Sequence, residues 1–206
     1  GEFINNPHWG QGNEGYIAFR QNNTDDYIKI PRNAGLEPGY ITVEAWIKIA
    51  DTSLNHQIVR KKNVGLGAAG FDLRFESGNG IRFYITSRNT SDYVEISRNT
   101  ILSNKIAHVV GTFDGFTIKL YIDSILVGQK THSGGGGSIN YDGTADLNIG
   151  GNSYESTYQM YGYIQNFHIY NRALTNSEIL QNYNSFSSRF AYLYIPSITP
   201  SVTPSI

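Results

Sequence analysis

The chain has no cysteine and a single methionine in 206 residues. Without thiols it can form no disulfide, no thiolate metal site and no cysteine nucleophile. That absence does not fix the compartment, because many exported proteins do without disulfides. Sixteen Lys and Arg stand against seventeen Asp and Glu, a net charge of −1. With no basic run, neither nucleic acid nor an anionic membrane surface is expected as a partner. No apolar stretch approaches the roughly 18 residues that span a bilayer, so membrane insertion is not expected, and no secretory signal is visible. There is also no Ser/His/Asp signature, no His pair at metal-ligand spacing and no phosphate loop. The glycines of residues 65–70 lack both a following helix and the Gly-Lys-Ser/Thr ending such a loop needs.

What the chain does have is 22 Gly, 15 Tyr and 10 Phe, which favour strands and turns over helices. Its length suits one β-sandwich domain. The clearest stretch of period two is HVVGTFDGFTIKLYIDSILVG, residues 108–128. It reads as two strands about a turn at Asp114-Gly115, with Val109, Gly111, Phe113, Ile118, Leu120 and Ile122 on one face. ITVEAWIKI, residues 41–49, puts Ile41, Val43, Ala45, Ile47 and Ile49 on one side and Glu44, Trp46 and Lys48 on the other. A Trp on the polar side implies that this side is also partly covered. Residues 4–15 read as an entry loop, in which Trp9 is either a sugar-stacking platform or a lid over the edge of a core.

Three strands build a candidate binding surface. FDLRF (71–75), IRFYI (81–85) and YVEIS (93–97) are joined by short turns and should be neighbours in one antiparallel sheet. Phe71, Leu73, Phe75, Ile81, Phe83, Ile85, Val94 and Ile96 turn inward. The outer face then collects Asp72, Arg74, Arg82, Tyr84, Tyr93 and Glu95. Planar charged groups can bond hydroxyl pairs while an aromatic ring covers a sugar's C–H face, and this combination suits a neutral carbohydrate. Cross-strand ion pairing on a solvated sheet is the alternative reading of the same residues. Tyr154 and Tyr158, in the hydroxyl-rich loop 152–161, suit the same stacking, or else simply cap the sandwich. SGGGGS, residues 133–138, reads as a mobile loop tip. Asp25 and Asp26 are either oxygen ligands for calcium or ordinary solvated turn residues.

YIQNFHIY (163–170) is the last core strand, with Ile164, Asn166, His168 and Tyr170 alternating against Tyr163, Gln165, Phe167 and Ile169. A capping box then opens a short helix, 176–183. Thr175 is the N-cap and Glu178 stands at N3, with Leu174 and Ile179 as a hydrophobic staple. Phe190 to Ile195 is a strand-like aromatic run. Thr-Pro-Ser repeats from Ser197 onward favour extended, solvated chain. The expected organisation is an N-terminal segment (1–14), a domain (15–195) and a Thr-Pro-Ser-rich linker (196–206). Such a linker, with sequons at Asn22 and Asn89, points to a multidomain protein that is extracellular or displayed on a cell or virion surface.

Over roughly residues 15–184 the chain resembles the laminin G-like jelly-roll domain of the concanavalin A-like lectin/glucanase superfamily. TVEAWIKI (42–49), IVRKKN (58–63), the 108–128 stretch, LNIGG (147–151) and GYIQNFHIYNRALTNSEILQNY (162–183) carry the likeness. The resemblance implies an all-β fold: an antiparallel jelly-roll β-sandwich of two curved sheets with one short C-terminal helix, and ligands on the concave sheet or at rim loops. Three positions depart from the family pattern. Ile106 stands where Trp is usual, Ser124 where Gly is usual, and Gln165 where related jelly rolls place an Asp that helps hold a structural calcium. The resemblance therefore makes Gln165 a candidate ligand beside Asp25 and Asp26, with calcium the one cofactor expected. The E-x-D-x-x-E strand of the superfamily's glucanases is absent; Asp72 and Glu95 could face each other by accident, but a pair from separate strands without that motif is a weak catalytic candidate. The expectation is a non-catalytic recognition or adhesion module binding carbohydrate or a cell-surface glycoconjugate. Its alternative is a structural or protein-binding sandwich that takes no sugar.

Overall fold

In the computed structural model the described residues are 1–5, 7–9, 16–19, 26–62, 69–78, 80–87, 90–95, 105–133, 136–141, 143–152 and 157–191. They contain fourteen strands, a 3-10 turn (Ala34–Leu36) and one α-helix. The strands are β1 (Glu2–Ile4), β2 (His8–Trp9), β3 (Tyr16–Phe19), β4 (Tyr27–Ile30), β5 (Ile41–Ile49), β6 (His56–Lys61) and β7 (Gly70–Glu76). They continue with β8 (Gly80–Ser87), β9 (Thr90–Glu95), β10 (Ile106–Phe113), β11 (Thr117–Ile122), β12 (Ile125–Thr131), β13 (Leu147–Ile149) and β14 (Gly162–Tyr170). The helix α1 spans Asn176–Ala191.

Two antiparallel seven-stranded sheets face each other, β1-β4-β13-β6-β7-β8-β9 and β12-β11-β10-β5-β14-β3-β2. The alternation read from the sequence holds at the centre. Ile41, Val43, Ala45, Ile47 and Ile49 of β5 join Val109, Phe113, Ile118, Leu120 and Ile122 in one buried core with Phe71, Leu73, Phe75, Ile81, Phe83 and Ile85 of the opposite sheet. Gly111 sits in the same inward row, opposite Leu120 and Val43. The Phe83 ring lies against it so closely that a Cβ there would stand 2.6 Å from Phe83 Cδ1. The glycine is thus the socket through which the sheets approach.

Five expectations change. The 108–128 stretch holds three strands, because a second turn at Asp123-Ser124 returns the chain as β12. The N-terminal segment, whose residues 4–15 read as an entry loop, supplies β1 and β2, which pair with β4 and β3; the Trp9 side chain lies outside the described ones. In β14 the register shifts between Gln165 and His168, with Asn166 at φ 43°. This bulge resets the alternation, so that Ile164 opposes Ile47, Ile169 opposes Val43, and His168 opposes Glu44. The helix runs eight residues past Tyr183 to Ala191, so Phe190 ends a helix instead of opening a strand. Residues 192–206, which include the linker, lie outside the described residues.

The outer face of β5 is buried from Thr42 to Trp46, where the corner before the helix and the helix itself pack. Glu178 Oε2 accepts from the Thr175 amide at 2.8 Å, while Thr175 Oγ1 accepts from the Glu178 amide at 3.3 Å, completing the capping box. Leu174 and Ile179 cluster with Val110 and Tyr121. Thr42 anchors the preceding corner, donating to Arg172 O and accepting from the Leu174 amide, both at 2.8 Å. Trp46 stacks against both His108 and Tyr183, with ring centroids 5.0 and 5.4 Å away, and those two rings lie 6.0 Å from each other. Beside it Glu44, 3% exposed in its side chain, accepts from His168 Nδ1 at 2.9 Å, Tyr170 Oη at 3.1 Å and Asn182 Nδ2 at 3.0 Å. Burial alone would raise the Glu44 pKa, but the bonds from His108, His168 and Asn182 hold it well below the usual carboxylate value of 4.5.

Two outcomes follow from this packing. Because the folded Glu44 carboxyl is the stronger acid, its stabilisation is complete above the unfolded value and is lost as pH falls from about 5 towards its folded value. The urea midpoint of the wild type should therefore drop more steeply over that range than that of Glu44→Gln. At the β11–β12 turn Asp123 and Ser124 both have positive φ, 49° and 67°, as a two-residue hairpin of right-handed twist demands. Ser124→Gly should remove the Cβ strain and stabilise the fold by about 1 kcal/mol, read as a melting temperature raised by a few degrees.

Candidate functional site

The outer face of β6 to β9 carries the residues singled out in the sequence. Register places them in two cross-strand rows. Asp72 opposes Tyr84, which opposes Tyr93, with Arg60 on the far side; Arg74 opposes Arg82, which opposes Glu95, with Gln57 on the far side. Asp72 and Glu95 thus fall in different rows with a strand between them, so the accidental facing pair is not formed. The side chain of Glu95 is not among those described. Nor do Asp25 and Tyr154 fall among the described residues.

The arginines are held by carboxylates. Arg74 reaches Asp72 Oδ2 at 3.5 Å and Glu76 Oε1 at 2.6 Å. Arg82 pairs with the other oxygen of Glu76 and donates to Tyr84 Oη at 3.1 Å. Glu76 is therefore shared by both guanidinium groups. It escaped the sequence reading because β7 was ended at Phe75, although Glu76 continues the Asp72-Arg74 period. Gln57 was missed for a similar reason. It lies across a bulge from Val59, one residue before the IVRKKN stretch singled out in the sequence, and donates to Asp72 Oδ1 at 2.6 Å.

Aromatic rings close over these charges. The Arg74 guanidinium is sandwiched between Tyr84, 4.4 Å from its centroid, and Tyr158, 4.8 Å away. Arg82 lies over Tyr93 at 4.9 Å, and the Tyr84 and Tyr93 rings are 4.8 Å apart. Tyr158 Oη donates to Glu76 Oε1 at 3.4 Å. The structure thus brings Asp72, Arg74, Arg82, Tyr84, Tyr93 and Tyr158 together. Exposure falls steeply across the group: Tyr93 is 37% exposed, the Arg74 and Arg82 side chains about 15% and 14%, and Asp72 is sealed. Burial would lower the pKa of Arg74, yet the charges of Asp72, Tyr84 and Glu76 outweigh it and raise the value, so the guanidinium stays charged. Three buried atoms in this layer, Gln57 Oε1, Asp72 Oδ2 and Arg74 Nε, have no hydrogen-bond partner among the described residues, Asp72 Oδ2 having the ion pair to Arg74.

With the sandwich and this face in view, comparison with known proteins is informative. A laminin G-like family model, of the concanavalin A-like lectin/glucanases superfamily, matches residues 22–180. The chain belongs to that superfamily. A search of curated proteins finds no match. Among solved structures, the binding domain of botulinum neurotoxin DC in complex with SialylT is similar at a TM-score of 0.66 and 15% identity, over 89% of this chain and 46% of that one. The same toxin domain in complex with rat synaptotagmin II gives 0.67 and 16%, over 89% and 46%. The binding domain of Paraclostridial Mosquitocidal Protein 1 gives 0.64 and 18%, over 83% and 43%. The chain spans less than half the length of each, and at these identities the likeness is one of fold.

For a laminin G-like domain the remaining question of the site is calcium. Of the three residues considered, Asp26 immediately precedes β4 in one sheet and is buried, while Gln165 lies in β14 of the other, opposite Trp46. Asp25 lies outside the described residues, so the donor set is not described as a whole, and among the described residues no group of three His, Cys, Asp or Glu is placed to hold a metal ion. No step of recognition is assigned to a metal. Chemically the face offers ring surfaces, phenol hydroxyls and charge-assisted donors, all fixed on a rigid sheet.

Proposed function

We propose that the chain is a non-catalytic recognition module that binds carbohydrate, displayed by a larger surface or virion protein, and that the outer face of β7 to β9 is a binding surface. The observation that carries this reading is the order of Arg74, Arg82, Tyr84, Tyr93 and Tyr158. The two guanidinium groups are fixed by Asp72 and Glu76 and interleaved with three tyrosine rings. Tyr93 presents the most open ring, over which a pyranose C–H face can lie, while Arg82 and Tyr84 supply donors at its edge. Because the side chains are already held, little rotamer freedom is lost on binding. The superfamily and the glycan- and protein-bound toxin domains of like fold support a binding role. A hydrolytic role lacks support: Asp72 is sealed and bonded to Gln57 and Arg74, and Glu76 is held by both arginines.

One observation favours the second reading, a protein-docking or spacer domain without sugar. Asp72 and Glu76 already neutralise both arginines, as in a cross-strand network whose role is to hold strands together.

A glycan array probed with the whole chain separates the two, run with calcium and with a chelator beside Tyr93→Ala. Specific binding that is independent of calcium and reduced about tenfold or more by Tyr93→Ala is the expected result. A folded wild type that binds no glycan in either condition would leave the protein-docking reading standing.

A further inference from the structure

At the end of the sandwich where β5 begins and β10 turns into β11, three loop segments meet. Gly137 N donates to Gly115 O at 2.9 Å, Ile139 N to Gly39 O at 2.9 Å, and His132 N to Phe116 O at 2.7 Å. Asp114 Oδ1 accepts from the amides of Phe116 and Thr117 at 2.8 and 2.7 Å. Tyr141 Oη donates to Pro38 O at 3.0 Å. The second half of the glycine tract, read from the sequence as a mobile tip, is therefore bonded into the rim.

Two aromatic side chains stand out from this rim, Tyr40 at 46% and Phe116 at 63% exposure. Each lies against a glycine that no side chain could replace in place. A Cβ at Gly115 would be 2.7 Å from Tyr40 Cε1, and one at Gly136 would collide with the Phe116 ring. Both glycines, at φ 98° and 94°, also hold backbone that other residues rarely adopt. The glycines thus form a bed that supports the rings from below and leaves the remainder of each to solvent.

The surroundings select the ligand. Asp114 and Ser138 are exposed, Gly137 is exposed, and Ile139 is turned into the core. A lipid or an apolar peptide would need a broad aliphatic patch, and these segments expose aromatic rings set among polar groups. A sugar needs a ring for its C–H face and an acceptor for a neighbouring hydroxyl. Asp114 Oδ2 is not used in the turn, where both amides bond Oδ1.

We infer that Tyr40 and Phe116 form a second stacking subsite for a neutral pyranose, separate from the outer sheet face, with Asp114 accepting from a sugar hydroxyl. The inference rests on the reading of the domain as a carbohydrate module and adds a place to it. The test applies the whole chain to immobilised neutral oligosaccharides, comparing wild type with Tyr40→Ala, Phe116→Ala, Tyr93→Ala and, as an exposed control on α1, Leu180→Ala. Melting temperatures confirm that each is folded. Expected is a set of glycans whose binding falls roughly tenfold or more in both rim variants and is unchanged in Tyr93→Ala and Leu180→Ala. Glycan binding by the wild type that both rim variants retain would overturn the subsite and leave the module reading intact. A folded wild type that binds no oligosaccharide would overturn both.

Discussion

Strand β5 is buried on both faces, and the rest of the architecture follows from that constraint. Its inner row of Ile, Val and Ala requires an opposing sheet, which Phe71, Leu73, Phe75 and Phe83 provide. Its outer row of Thr42, Glu44 and Trp46 requires a second cover that can satisfy a hydroxyl, a carboxylate and an indole ring together. Neither a sheet nor a plain apolar helix would serve. The corner at residues 170–175 bonds Thr42, and α1 brings Asn182 to Glu44 and Tyr183 to Trp46. Leaving Glu44 buried without those donors would cost several kcal/mol, so helix docking and sheet packing are coupled through one strand.

This cover occupies the outside of one sheet. The helix gives the opposite sheet no such cover, and its outer face is organised by charge. Glu76 holds Arg74 and Arg82 together, Asp72 fixes Arg74 from the other side, and Tyr84, Tyr93 and Tyr158 fill the spaces between. The result is a layer of polar side chains with little freedom left to lose, grading from a sealed Asp72 to a half-open Tyr93. Such a layer can stiffen a sheet and also present a fixed pattern of rings and donors to a ligand. The glycine-supported rim at Tyr40 and Phe116 achieves order by a different route, backbone hydrogen bonds and steric support in place of ion pairs.

Much of this was legible in the sequence, because period two and the capping box are local signals. The core rows of β5, β10 and β11, the covered Trp46, the staple of Leu174 and Ile179, and the shared surface of Asp72, Arg74, Arg82 and Tyr84 all follow from spacing alone. What escaped has a physical reason in each case. The bulge at Asn166 depends on a positive φ that Asn tolerates and a period count does not register. Glu76 and Gln57 lay one residue beyond the strand ends as read, where alternation no longer assigns a face. The glycine tract looked slack because its partner, Phe116, is about twenty residues away in sequence and joins it through the turn at Asp114. The length of α1 was cut short because the Asn- and Ser-rich residues 182–188 are weak helix formers that packing near Glu44 and His168 overrides.

The central claim is that the outer face of β7 to β9 recognises carbohydrate with side chains already in place. The most direct test is an NMR titration of the chain with a mixture of neutral and sialylated oligosaccharides, following the tyrosine ring and arginine guanidinium signals. Shifts of Tyr84, Tyr93 and Tyr158 together with Arg74 and Arg82, without loss of the Arg–Glu76 pairing, are the expected result. Unchanged signals across that face at saturating sugar would contradict the claim.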